Sequence, residues 1–69
     1  MEGGDYMDAA KKIRQYIDEN GLKQSYVAEK AGINNAVFNS ILNGKTRLTV
    51  ERLELISKAL GKQPEFFLN

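Results

Sequence analysis

Amides, hydroxyls and a few isolated cations carry what chemistry this sequence holds. With neither cysteine nor histidine, the chain has no thiolate nucleophile, no usual zinc ligand set and no imidazole for proton transfer. An enzyme is therefore not expected, and neither is a metal or other cofactor. Three asparagines, Asn34, Asn35 and Asn39, crowd into one short stretch with Ala36 and Ser40. Each amide sets a donor beside an acceptor, and a hydroxyl meets either kind of partner. Further on, Gly44-Lys45-Thr46 ends like a phosphate-binding loop, but Asn39 stands where that loop requires its first glycine and no strand precedes it. A nucleotide-hydrolysing site is excluded.

The elements that must hold these residues belong to one small domain, because 69 residues fall short of the about 100 to 200 that each separate domain usually needs. A hydrophobic share of 42% beside 28% charged residues is ordinary for globular proteins and unlike disordered, collagenous or membrane chains. A core this small rarely yields more than about 3 to 5 kcal/mol of net stability. Secreted domains of this size usually rely on disulfides, so the cysteine-free composition points to a cytoplasmic location. No apolar run approaches the roughly 20 residues of a membrane span, and the opening MEGGDYMDAA is acidic and lacks an apolar signal core. No membrane partner is expected.

The net charge of +1 selects no partner, but it is unevenly spread. Residues 1–21 set Lys11, Lys12 and Arg14 against Glu2, Asp5, Asp8, Asp18 and Glu19, a net −2. Residues 22–47 set Lys23, Lys30, Lys45 and Arg47 against Glu29 alone, a net +3, and the remainder balances. The middle of the chain supplies the basic face.

Glycines at 21, 32, 44 and 61 punctuate the chain into short blocks. In the first, Ala9, Ala10, Ile13, Tyr16 and Ile17 recur at helical spacing, with Asp5 or Asp8 available as a cap and Asn20-Gly21 as a stop. This predicts a helix over 8–20, preceded by a disordered tail over 1–7, so that the folded domain spans 8–69. Val27, Ala28 and Ala31 share a face over 24–31, closed by Gly32. Phe38, Ile41 and Leu42 define a third helix over 35–42, with Asn34 suited to cap it and Asn43-Gly44 ending it. Asn-Gly also signals hairpins, but the flanks here repeat at helical rather than alternating spacing. Thr49 caps a fourth helix carrying Leu53, Ile56 and Leu60, and Gly61 stops it. Pro64 opens a last turn through Glu65-Phe66-Phe67-Leu68. The fold class is all-α, with five short helices.

Two short helices joined by a tight turn containing glycine form the helix-turn-helix arrangement, which lays its second helix in the DNA major groove. Residues 22–61 resemble the phage-repressor, Cro and XRE type of this arrangement, a lambda-repressor-like domain, and the resemblance extends over residues 10–68. It is carried by Gln24 opening the second helix, the small Ala28, Gly32 in the turn, the apolar Ile33, the Phe38 and Ile41 pair, Asn43-Gly44-Lys45-Thr46, and Ala59-Leu60-Gly61. Ala28 is small where the two helices cross nearest.

The resemblance implies a sequence-specific, double-stranded DNA-binding protein, a bacterial or phage transcriptional repressor. Residues Asn34, Asn35, Ala36, Asn39 and Ser40 would read base edges. Asparagine pairs with adenine through two parallel hydrogen bonds, and an alanine methyl packs on thymine. Gln24, Asn43, Lys45, Thr46 and Arg47 would hold phosphates, which set register and carry the salt dependence. Gln24 suits this because the first turn of a helix offers free N–H groups and the positive dipole end. Such proteins bind palindromic operators as two-fold dimers; here a weak homodimer is expected, formed through Phe66 and Phe67 and through the DNA.

Three departures from the family pattern stand out: Lys23 replaces the small residue that usually caps the second helix, Ile17 and Leu42 replace an Arg and Glu pair buried in some phage repressors, and the third helix has no lysine or arginine. The alternative reading is an antitoxin or adaptor built on the same fold, with a protein antagonist or toxin as partner. It rests on the low net charge and on Tyr26, Phe66, Phe67 and Leu68 as an apolar patch; the competing role of those side chains is packing and closing the core.

Overall fold

A computed structural model describes residues 6–68. Four α-helices follow one another, α1 (Met7–Glu19), α2 (Gln24–Ala31), α3 (Asn35–Leu42) and α4 (Val50–Ala59), and a 3-10 helical turn, Pro64–Phe67, closes the chain. The class is all-α as expected, and the described residues include no strand. The fifth element is a single tight turn started by Pro64 and held by three-residue hydrogen bonds, from the Phe66 N–H to the Gln63 carbonyl at 2.9 Å and from the Leu68 N–H to the Glu65 carbonyl at 3.1 Å. Among the described residues no helix is long and apolar enough to cross a membrane.

Each helix contributes one stripe to a shared interior: Ile13 and Ile17 from α1, Val27 and Ala28 from α2, Phe38, Ile41 and Leu42 from α3, Leu53 and Ile56 from α4. The loop residue Leu48 and the turn residue Phe67 complete it. Ile17 and Leu42, the positions at which the sequence departs from the Arg and Glu pair of some phage repressors it resembles, both lie in this apolar cluster. Replacing such a pair by packed apolar groups avoids the desolvation of two charges. The last turn docks on α1 and α4, with the Phe67 ring edge-on to Tyr16 at a centroid distance of 5.8 Å.

Two expectations at the chain ends need revision. Phe67 is 1% exposed and belongs to the core, so it has no surface to offer a second subunit; Phe66, its neighbour on the 3-10 turn, points outward and is 50% exposed. The start of α1 also differs, since Tyr6 occupies the N-cap position without a side-chain capping bond, and Asp8 lies in the first turn instead. Asp5 and most of the expected 1–7 tail lie outside the described residues; Tyr6 is half-buried against the core. The far end of α1 arrives at Asn20 with Gly21 beyond it, as the Asn-Gly stop requires.

α4 holds one polar group with no visible role. Ser57 is fully buried and its hydroxyl has no hydrogen-bond partner among the described residues. A buried hydroxyl without a partner costs about 1 to 3 kcal/mol, and serine is a poorer helix former than alanine. Ser57→Ala is expected to raise the unfolding free energy by about 1 kcal/mol, read as a higher urea midpoint at unchanged slope.

Candidate nucleic-acid interface

The turn between α2 and α3 sets the direction of the polar stretch. Gly32 adopts φ 75°, a left-handed conformation that only glycine enters cheaply. Its N–H donates to the Glu29 carbonyl at 3.1 Å and the Ile33 N–H to the Ala28 carbonyl at 2.9 Å, the pair of bonds that terminates a helix and turns the chain away. Asn34 then starts α3: its side-chain oxygen accepts from the Ala36 N–H at 2.8 Å and the Val37 N–H at 3.3 Å. Lys23, at the head of α2, makes no side-chain cap.

With Phe38, Ile41 and Leu42 buried, the helical period places Asn35, Ala36, Asn39, Ser40 and Asn43 together on the opposite arc. All are exposed except Ser40, which is half-buried. The face carries amides, one hydroxyl and one methyl, and α3 contains no charged residue. Gln24 reaches this face from the head of α2: its Nε2 donates to Asn39 Oδ1 at 2.9 Å. This bond ties the head of α2 to the middle of the α3 face and fixes the Asn39 amide.

The loop after α3 is pinned to the same helix. The backbone N–H groups of Lys45 and Thr46 both donate to the Ser40 carbonyl, at 2.8 and 3.2 Å, so only their side chains remain for an external anion. The Arg52 guanidinium donates to the Arg47 carbonyl at 3.2 Å and braces the loop from α4. Asn43 caps the end of α3, and its Oδ1 accepts from Arg14 Nη1 of α1 at 2.9 Å.

The ten residues singled out in the sequence thus fall on one continuous region: the outer face of α3, the head of α2 and the 43–47 loop. Their individual availability differs. The carbonyl end of the Asn34 amide is engaged in capping, which leaves its Nδ2 as a donor. Asn35 makes no side-chain hydrogen bond among the described residues. The block-by-block charge balance missed Lys11 and Arg14, which sit in the acidic first third of the sequence yet line a groove with Leu42, Asn43 and Gly44 at the end of α3. It also missed Arg52. The recurrence of Lys11 and Arg14 three residues apart on α1 was the signal that both reach one face.

Comparison with known proteins identifies the family and the fold. A helix-turn-helix family profile matches residues 13–67. The chain belongs to the helix-turn-helix family. Among solved structures, this helix-turn-helix chain is 32% identical to SinR, described as the master regulator for biofilm formation and solved in complex with DNA; the match has a TM-score of 0.75 and covers 88% of this chain and 98% of that one. A mutant of the restriction-modification controller protein C.Esp1396I is 27% identical at a TM-score of 0.80, covering 97% and 85% of the respective chains. The controller protein C.AhdI from Aeromonas hydrophila shares the fold at a TM-score of 0.81 and 16% identity, over 90% of this chain and 94% of that one. A search of curated proteins by sequence finds no match.

The two adjacent asparagines of the helix-turn-helix unit separate by role in a stability measurement. Asn34→Ala is expected to lower the unfolding free energy by about 1 kcal/mol through loss of the cap. Asn35→Ala, at an exposed position, is expected to change it by less than about 0.5 kcal/mol. Thermal denaturation of both variants, compared at the parent midpoint, checks the pair.

Proposed function

We propose that this helix-turn-helix domain binds double-stranded DNA sequence-specifically and acts as a transcriptional repressor, with α3 lying in the major groove. The observation that carries the reading is the exposed, uncharged amide face of α3, met at its middle by Gln24 and bordered at its end by the pinned 45–47 loop. An α-helix fits the major groove, where base edges present donor and acceptor patterns that amides match. The DNA-bound SinR structure, at 32% identity, supports the same use of the fold.

In this arrangement Asn35 and Asn39 read base edges through their amides, Ser40 through its hydroxyl and Ala36 through its methyl. Asn34 contributes a single donor. Gln24, Asn43, Lys45, Thr46 and Arg47 meet phosphates, joined by Lys11 and Arg14 at the foot of α3. With no arginine or lysine on α3, bidentate contacts to guanine are absent from its repertoire, and positions containing A·T are preferred. A two-fold operator with half-sites about 34 Å apart presents this face twice. Pairing off DNA is weak, because Phe67 is buried and Phe66 is left as the exposed aromatic of the last turn.

Selection of duplexes from a random pool, followed by fluorescence anisotropy across a salt series, tests the reading. The expected result is an enriched half-site motif. Lys45→Gln is expected to weaken all duplexes alike and to reduce the slope of log affinity against log salt by about 1. Asn35→Ala is expected to cost about 1 to 3 kcal/mol at one base position and to leave the slope unchanged. Failure of any motif to emerge above the starting pool would sink the proposal.

The Gln24 and Asn39 contact adds a separate expectation, because two side chains joined by one hydrogen bond act on DNA as a unit. Gln24→Ala and Asn39→Ala are expected to be non-additive, the double variant binding the selected duplex more tightly than the product of the single effects by about 0.5 kcal/mol or more. Additive losses would show that the two side chains meet DNA independently.

A further inference from the structure

Tyr16 at the end of α1, Leu22 beyond it, Tyr26 and Lys30 on α2 and Leu60 after α4 line a groove of about 330 Å³. Tyr26 is 55% exposed, unusual for a large aromatic side chain in so small a domain. Tyr26 stands two positions after Gln24, roughly 200° round α2, so the groove faces away from the α3 amides. Cations stand on both sides of it. Lys30 Nζ lies 5.7 Å from the Tyr26 ring centre, and Lys62 Nζ lies 5.9 Å from Tyr16 and 4.8 Å from Phe66. Phe66 and Leu68, about half exposed, extend the apolar surface beyond Lys62.

We infer that this groove docks an acidic amphipathic segment of a partner protein, which inserts an apolar side chain among Tyr16, Tyr26 and Leu60 and sets carboxylates on Lys30 and Lys62. Charge complementarity selects this occupant. Two ammonium groups held over aromatic rings have less freedom to lose on pairing than lysines swinging in solvent, and an apolar floor between them rewards a segment with apolar residues between acids. Stacked nucleobases fit less well, because the ring faces a base requires are the ones the ammonium groups of Lys30 and Lys62 lie over. A second copy of the chain fits less well again, since a two-fold contact here would bring like-charged lysines together.

The test is an amide-resolved NMR titration of the whole isotope-labelled chain with a blocked peptide in which a leucine-tryptophan pair is flanked on both sides by glutamates. Saturable shifts at Leu22, Tyr26, Lys30, Leu60 and Lys62 are expected, and they persist when a duplex already occupies α3. Affinity is expected to fall about fivefold or more for the same peptide with glutamines in place of the glutamates, and equally for the Lys30→Gln, Lys62→Gln double variant. Tyr26→Ala is expected to weaken the peptide without altering duplex binding. The proposal is overturned by absence of saturable shifts at millimolar peptide, by equal binding of the glutamine peptide, or by shifts centred on α3. Tighter binding of oligothymidylate to the same residues would reassign the groove to nucleic acid, and concentration-dependent shifts of the protein alone would reassign it to self-association. The shifts on the free protein, the glutamine-peptide comparison and the lysine double variant need no duplex, so failure of the groove and failure of the DNA reading are distinguishable.

Discussion

The packing of α2 against α3 and the left-handed Gly32 between them aim every polar side chain on the α3 face. Ala28 is buried in the shared core with only a methyl for a side chain, while the Ile33 N–H returns to the Ala28 carbonyl at 2.9 Å and locks the chain's exit direction. Both constraints act at one end of α2, so the angle between the helices is decided within a few residues. A Cβ on Gly32 would meet nothing within 4 Å. Glycine is needed there for its φ of 75° and not for space. Gly44 repeats the device at the end of α3, where the Lys45 N–H returns to Ser40, and so the turn that positions the helix and the loop that borders it share one geometry.

The basic character of the surface arises in three dimensions more than along the chain. Arg14 belongs to a stretch with net negative charge, yet its guanidinium reaches Asn43 at the end of α3. Arg52 belongs to a balanced stretch, yet it holds the Arg47 carbonyl. Helical folding sorts alternating charges onto opposite faces, which leaves the middle-of-chain excess only a partial guide to where cations gather.

The bounds of α2 and α3 were legible in the sequence residue for residue, because Gly32, Asn34 and the Asn43-Gly44 pair each act on the backbone locally. The start of α1 was less legible: a tyrosine without a capping bond precedes it, and no side-chain rule marks such a start. Phe66 and Phe67 were indistinguishable as adjacent aromatics, and only docking of the last turn against Tyr16 and the core decides which is buried. The contacts that organise the candidate site were the least legible. Gln24 with Asn39 and Arg14 with Asn43 lie 15 and 29 residues apart in sequence, and no local pattern pairs them.

On the proposed reading, the uncharged composition of α3 separates two thermodynamic quantities that many DNA-binding surfaces mix. Counterion release accompanies the cations at the rim, Lys11, Arg14, Lys45 and Arg47, and these contact the backbone of any sequence alike. Discrimination between base pairs belongs to neutral amides, a hydroxyl and a methyl, whose contacts release no condensed ions. Ionic strength then scales the affinity for cognate and random duplexes by one common factor. The fraction of operators filled shifts with the salt of the medium, while the ranking of sequences and the gaps between them stay where the amides of α3 put them.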